Sequence, residues 1–335
     1  MADLDKICSS LKKKYSSTKV GDQLPTEYEY ISTGNLAFDL VSDGGIPIGF
    51  LTEFLGLSQS GKSLFIHKII ANAQEKYNAI GVLVDRESSF FRKRAEETMG
   101  VDSSKLVVVP PADTPTITDA FQFLIDFIES VRKEDEDQYL VLAIDSVSAF
   151  DKDTNLDKSD SGRKAKSTHE GLRAIIPHID SKTTLIVSNQ VTYKIGVMFG
   201  SPTTTTAGES MKYYSTCRFA LQDKRKIIDP DKGNEVIGAW LGVESIKTRL
   251  GPCYRKCFLP VFYNRGVDYY GGYTRLLVDR GYLEPKNKQD FSSFKQVTVK
   301  DKDGKLFNEF DVEKLLEVHP EMAFDTYPEY YEEKK

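Results

Sequence analysis

Gly56-Leu57-Ser58-Gln59-Ser60-Gly61-Lys62-Ser63 has the spacing G-x-x-x-x-G-K-[ST] of a phosphate-binding loop. Its two glycines let the backbone curl so that successive N–H groups point at phosphate oxygens. A helix starting near Lys62 adds the positive end of its dipole. Lys62 is then placed to reach the β- and γ-phosphates, and the Ser63 hydroxyl to ligate Mg²⁺. The chemistry implied is binding of a nucleoside triphosphate. The loop alone does not say what the energy is used for.

Further along, acids end apolar runs. Tyr139-Leu-Val-Leu-Ala-Ile144 is followed by Asp145, an acid at a strand tip suited to hold Mg²⁺ directly or through water. Ile80-Gly-Val-Leu-Val ends in Asp85, with Glu87 two residues on. Glu87 is the candidate to orient and deprotonate the attacking water. Asn189-Gln190 ends a further apolar run, where a glutamine can bond the γ-phosphate and report its loss. The bland reading of such acids is that they cap the next helix.

These residues need a scaffold that brings strand ends together. Phe50–Leu55, Ile80–Asp85, Leu106–Val109, Tyr139–Ile144 and Thr184–Val187 read as buried strands. Helical stretches fall near Lys62–Ile70, Ile117–Val131 and Gly171–Ile179. Near-continuous apolar strands alternating with helices predict an α/β fold with a mostly parallel, doubly covered sheet. After residue 215 the strands Arg218–Leu221, Ala239–Ile246 and Lys256–Phe262 follow one another through short turns, so an antiparallel extension is expected. Leu4, Ile7, Cys8 and Leu11 fall on one face of a short N-terminal helix with nothing in its own segment to pack on. Asp303-Gly304 signals a hairpin, and Asp311–Val318 a helix stopped by Pro320, in a small C-terminal α+β module. The expected division is 1–27, 28–284 and 285–335.

With 335 residues, 40% hydrophobic and 28% charged, the chain can bury a substantial core. No run is long and apolar enough to span a bilayer, and the N-terminus has no signal-peptide core, so a cytoplasmic location without membrane contact is expected. Four cysteines in a chain this long make no disulfide framework, and Cys253 and Cys257 read as two strand cysteines. The net charge of −5 argues against a uniformly basic nucleic-acid binder. Charge is polarised, however, with a basic N-terminal segment and an acidic C-terminal one.

Two stretches lack clear periodicity. Residues 191–212 mix threonines, glycines and lysines with exposed apolar residues, which suits contact with a single nucleic-acid strand. Residues 151–173 carry Lys152, Lys158, Arg163, Lys164, Lys166 and Arg173; alone this is solvated loop, but beside the first stretch it suggests a groove.

Together these residues resemble the RecA family of homologous recombinases, including phage recombinases. Ile31-Ser-Thr-Gly34 and Gly44-Gly45-Ile46-Pro47-Ile48-Gly49 are similar to the family's entry segment, and the phosphate loop follows at its spacing. Val84-Asp85-Arg86-Glu87 resembles the segment with the catalytic glutamate, and Ile144-Asp145-Ser146-Val147 the Mg²⁺-binding strand. Asn189-Gln190 through Lys212-Tyr213-Tyr214 is similar to the second DNA-binding loop, above all at Lys194–Gly200. Ile246-Lys247-Thr248-Arg249 resembles a basic pair that reaches the ATP of a neighbouring subunit. The likeness covers about residues 28–285. It departs at Ser88–Arg94, where Phe90, Phe91 and Arg94 are the candidates to stack on the adenine. It departs again in the first DNA loop and at Ala207-Gly208.

The resemblance implies a DNA-dependent ATPase with ATP and Mg²⁺. It would form a helical filament on single-stranded DNA and pair it with homologous duplex. Single-strand-binding and mediator proteins are further partners. Catalytic roles fall on Glu87, Lys62, Gln190, Lys247 and Arg249. Nucleotide contacts fall on residues 56–63 with Asp145, and metal contacts on Ser63 and Asp145. DNA contacts fall on Lys194, Ile195, Gly196, Met198, Phe199, Gly200, Thr205 and Gly208, with Arg163, Lys164 and Arg173 in the first loop. Ile195 would wedge between base triplets, and the N-terminal helix would pack on the adjacent protomer. The competing functions are a ring-forming motor on the same core and a non-catalytic paralogue that assists assembly.

Overall fold

The computed structural model describes residues 3–12, 14–15, 18–150, 162–193, 203–205, 209–229, 233–295 and 297–323. Helix α1 (Leu4–Leu11) is followed by β1 (Tyr30–Ile31), α2 (Leu36–Val41) and β2 (Ile46–Pro47). Then come β3 (Leu51–Gly56), α3 (Lys62–Tyr77), β4 (Ile80–Asp85), α4 (Arg92–Arg94) and β5 (Leu106–Val109). The core continues through α5 (Ile117–Glu134), β6 (Leu140–Asp145), α6 (Gly162–Ile175), β7 (Thr183–Tyr193), β8 (Thr203–Thr205) and α7 (Ser210–Tyr214). Four strands follow: β9 (Cys217–Asp229), β10 (Glu235–Thr248), β11 (Lys256–Phe262) and β12 (Gly266–Val267). The last elements are α8 (Tyr273–Asp279), β13 (Glu284–Pro285), α9 (Lys288–Ser292), β14 (Thr298–Lys300), β15 (Leu306–Asn308) and α10 (Val312–Val318).

The central sheet runs β12-β11-β10-β9-β3-β7-β6-β4-β5, with β8 added to the end of β7. From β9 to β5 every pairing is parallel, while β10, β11 and β12 add antiparallel strands. This is the expected α/β core, a mostly parallel sheet with an antiparallel extension. Parallel strands put their carboxyl ends on one edge. The register places Gly56 beside Gln190, and Asp85 beside Asp145. Two apolar layers hold the sheet. One packs Phe38, Phe54, Phe65 and Phe219 together with α3, and the other packs Phe121, Leu124, Leu172 and Val187 under α5 and α6.

Several boundaries differ from the sequence reading. Residues 151–173 are not wholly loop, because α6 begins at Gly162. Thr168, Leu172 and Ile175 are fully buried at helical spacing, and Gly171 lets the helix close on Phe121, whose ring lies 2.0 Å from where a Cβ would stand. The stretch after Gln190 is also partly regular. Strand β7 continues to Tyr193, pairs Val191 with Thr205 and Tyr193 with Thr203, and the segment closes through α7. β-branched residues on both sides favour that pairing. Cys257 lies in β11, whereas Cys253 sits in coil, where Pro252 and the positive φ of Tyr254 (66°) keep the strand from starting.

The C-terminal α+β module is β13-β14-β15 with α9 and α10. Asp301 holds its hairpin by accepting from the N–H groups of Asp303 and Lys305 (2.9 and 2.8 Å). Val299, Phe307, Val312 and Leu315 are buried in the same cluster as the core. Buried Arg275 pairs with Glu309 and stacks over Trp240 at 4.3 Å, fastening the module to β10. At the other end, α1 leaves Leu4 61% exposed and Ile7 43% exposed, an apolar face without cover among the described residues. Among the described residues no helix is long and apolar enough to cross a membrane.

Candidate active site

The phosphate loop joins the tip of β3 to α3 at the middle of the sheet. Gly61 has φ +91° and no side chain caps the first turn of α3, so its N–H groups face the loop's hollow. Gly56 is packed so closely that a Cβ would meet Ser60 Oγ at 2.2 Å and the Leu221 carbonyl at 2.5 Å. Lys62 is 6% exposed, and its Nζ donates to the carbonyls of Gly56 (3.1 Å) and Leu57 (2.7 Å). Burial lowers the pKa of this ammonium, opposed by Asp145 and Glu87. A buried cation held by neutral loop oxygens gains from an anion beside it.

Asp145 stands across the loop. Ser188 Oγ donates to its Oδ1 at 2.5 Å, while its Oδ2 is buried with no hydrogen-bond partner among the described residues. Burial raises its pKa above the usual carboxylate range, against the pull of the Ser188 and Ser63 hydroxyls and of Lys62. A buried carboxylate with one bare oxygen beside a hydroxyl is a donor set for a hard cation such as Mg²⁺. The residues present therefore fit a Mg²⁺–nucleotide.

Asp85, by contrast, is structural. It accepts from Ser89 N (3.0 Å) and Phe90 N (2.9 Å), closing the turn that carries Glu87. Arg86, stacked 4.6 Å over Phe150, donates to the carbonyls of Pro111 and Thr114 and fixes the other flank. Glu87 is thus an exposed carboxylate on a pinned turn. Its Oε1 accepts from Ser146 Oγ (2.7 Å) and Gln190 Nε2 (2.9 Å).

Glu87, Asp145, Gln190 and the loop line one pocket of about 480 Å³. Phe91, Arg94 and Tyr263 line the same pocket. Of the three base-stacking candidates, Phe91 and Arg94 face this pocket. Phe90 turns away and meets the His67 ring edge-on at 5.5 Å. Tyr263, 56% exposed beyond the end of β11, has no counterpart in the sequence reading. Sheet order rather than local sequence brings it there, since β11 lies three places from β3.

Lys247 and Arg249 do not reach this pocket within the chain. Lys247 Nζ donates to the carbonyls of Lys212 (2.5 Å) and Ser215 (2.7 Å), and Arg249 to that of Tyr213, at the carboxyl end of α7. Cations there suit the helix dipole. Burial, then Arg249 and Arg218, lower the pKa of the Lys247 ammonium.

Residues 194–200 and Gly208, expected to contact DNA, lie outside the described residues. Thr205 lies on β8 and Arg163 in the first turn of α6. Lys164 Nζ donates to the carbonyls of Ser148 (2.6 Å) and Phe150 (2.7 Å), so it ties α6 to the segment after β6. Arg173 is exposed on the same helix.

A family model described as the RecA N-terminal domain matches residues 2–268. This chain belongs to the RecA family. It is 29% identical over 319 residues to protein RecA of Colwellia psychrerythraea, covering 93% of this chain and 86% of that one. It is 33% identical over 290 residues to protein RecA of Ureaplasma parvum, with 84% and 82% covered. Protein RecA of Thermus aquaticus is 30% identical over 291 residues, with the same coverage. The chain is a RecA-type recombinase, and recombination, repair, ATP binding and DNA binding are its setting.

Proposed function

We propose that this chain is a DNA-dependent ATPase that coats single-stranded DNA as a helical filament, pairs it with homologous duplex and exchanges strands. The observation that carries the reading is the bond from Gln190 to Glu87, because it joins the root of the second DNA loop to the candidate base. ATP bound at residues 56–63 supplies the phosphoanhydride, and Mg²⁺ held by Ser63 and Asp145 neutralises phosphate charge. Lys62 exchanges its loop carbonyls for the β- and γ-phosphates. Glu87 accepts a proton from water as the water oxygen bonds the γ-phosphorus and the bridging bond to ADP breaks, leaving phosphate. Gln190 exchanges Glu87 for the γ-phosphate and reports its presence to the loop.

Lys247 and Arg249 leave the end of α7 to reach the ATP of the neighbouring protomer, and α1 lays its uncovered face on that neighbour. A contact of one surface on a different surface propagates as an open filament. Lys194, Ile195, Met198 and Phe199 hold the DNA strand, with little sequence preference. The test is incubation with ATP, Mg²⁺, circular single-stranded DNA and homologous linear duplex. Joint molecules are expected. Their absence, or closed rings instead of filaments under the electron microscope, would reject the reading in favour of a motor or an assembly factor.

A further inference from the structure

Glu53 is a charged residue in the middle of buried β3, 0% exposed. Its two oxygens are divided between two neighbouring strands. Oε2 accepts from Arg218 Nε on β9 at 2.5 Å, and Oε1 accepts from Asn189 Nδ2 on β7 at 2.8 Å. The register explains the geometry. Glu53 lies opposite Arg218, and Arg218 opposite Lys247. On the other side Glu53 lies opposite Val187, so Asn189, two residues on, shares its face. A polar row therefore crosses four strands, Asn189–Glu53–Arg218–Lys247. It continues at its near end, where Ser148 Oγ donates to Asn189 Oδ1 (3.2 Å) and accepts from the Gln190 N–H (2.7 Å).

Fold stability alone gives little reason for such a row. A buried ion pair seldom outdoes well-packed apolar side chains of the same volume, since both charges must be desolvated. What the row does is fix geometry: hydrogen bonds join β7, β3 and β9 through Asn189, Glu53 and Arg218, and Arg218 sets a like charge against its register neighbour Lys247 on β10. At Lys247 the β9–β10 register also shifts, between Ser245 and Lys247, so the row ends where the strand is re-aimed.

We propose that Asn189 is a positioning residue for Gln190, and that Glu53 locks it to Arg218 on β9, the strand paired with the one carrying Lys247. The phosphate sensor and the basic pair are then set by one buried carboxylate rather than independently. Engagement of Lys247 at a neighbouring protomer shifts β10 and β9, and Glu53 passes the shift to β7 and the root of the DNA loop. The inference rests on the proposed ATPase reading.

The test is steady-state ATP hydrolysis by the full chain with Mg²⁺, with and without oligo-dT single-stranded DNA. Asn189→Ala is expected to lower the ratio of DNA-stimulated to DNA-free turnover about five-fold or more. A purely structural role would lower both rates together with the melting temperature and leave the ratio alone. The exchanged pair, Glu53→Gln with Asn189→Asp, keeps the bond between β3 and β7 with its direction reversed, and keeps an acceptor for Arg218. It is expected to recover most of the ratio, and it carries the test if Asn189→Ala does not fold. An unchanged ratio in Asn189→Ala overturns the proposal, and so does a folded exchange variant without recovery. A parent chain with no DNA-stimulated turnover overturns the ATPase reading and this inference with it.

Discussion

Gln190 Nε2 and the Glu87 carboxylate are 2.9 Å apart, and the same carboxylate oxygen accepts the Ser146 hydroxyl at 2.7 Å. Two donors occupy one oxygen of the candidate base, and a water must share that oxygen with them. Moving Gln190 to the γ-phosphate removes one of them. Gln190→Ala is therefore expected to bind ATP normally but to lose DNA stimulation of hydrolysis by about ten-fold or more. Steady-state turnover with and without single-stranded DNA measures this. Full stimulation in the variant would break the link between loop and base.

Tyr263 and Arg94 line the same pocket as Lys62 and Asp145. Stacking a base on an aromatic face contributes about 1–3 kcal/mol. Tyr263→Ala is expected to raise the KM for ATP about ten-fold, with kcat changed far less. A KM equal to that of the parent chain would place the base elsewhere.

His67, 8% exposed, faces Asp85 and Arg94, and its Nε2 has no hydrogen-bond partner among the described residues. Burial holds its pKa down to about 4, against an ordinary 6.5. The fold keeps this ring neutral, whereas the unfolded chain takes up a proton below about pH 6.5. Its contribution is present above that pH and is lost as pH falls toward 4. Between pH 7 and pH 5 it accounts for about 2 kcal/mol of lost stability. Urea unfolding of the parent chain and of His67→Leu at the two pH values measures the difference. An identical pH dependence in both would contradict it.

Much of this arrangement is legible in the residues alone. Strands β4, β5 and β11 match the sequence reading end to end: β4 and β5 are apolar runs closed by an acid and a proline, and β11 is a mainly apolar run between turns. The phosphate loop, Glu87, Asp145 and Gln190 are legible because each follows such a strand. Elements whose apolar signal is diluted are harder to read. Helix α6 carries Gly171 and the cations Lys164, Lys166 and Arg173 alongside its buried positions, and the distal half of β9 carries Lys224, Arg225 and Lys226. Tyr263 and Arg218 reach their positions through sheet order, which joins residues more than 150 positions apart and leaves no local trace. Glu53 did leave one, a lone carboxylate inside the run Phe50–Leu55.

Within one chain, Glu87 and Lys62 share a pocket, while Lys247 and Arg249 are engaged at α7. In the proposed filament a working site takes Glu87 from one protomer and Lys247 from the next. ATP turnover by an equal mixture of Glu87→Gln and Lys247→Ala chains on single-stranded DNA tests it most directly. Each variant alone is expected to be nearly inactive. Random mixing should restore complete sites at about a quarter of the interfaces, and turnover with them. A mixture no more active than its two components would contradict a site shared between protomers.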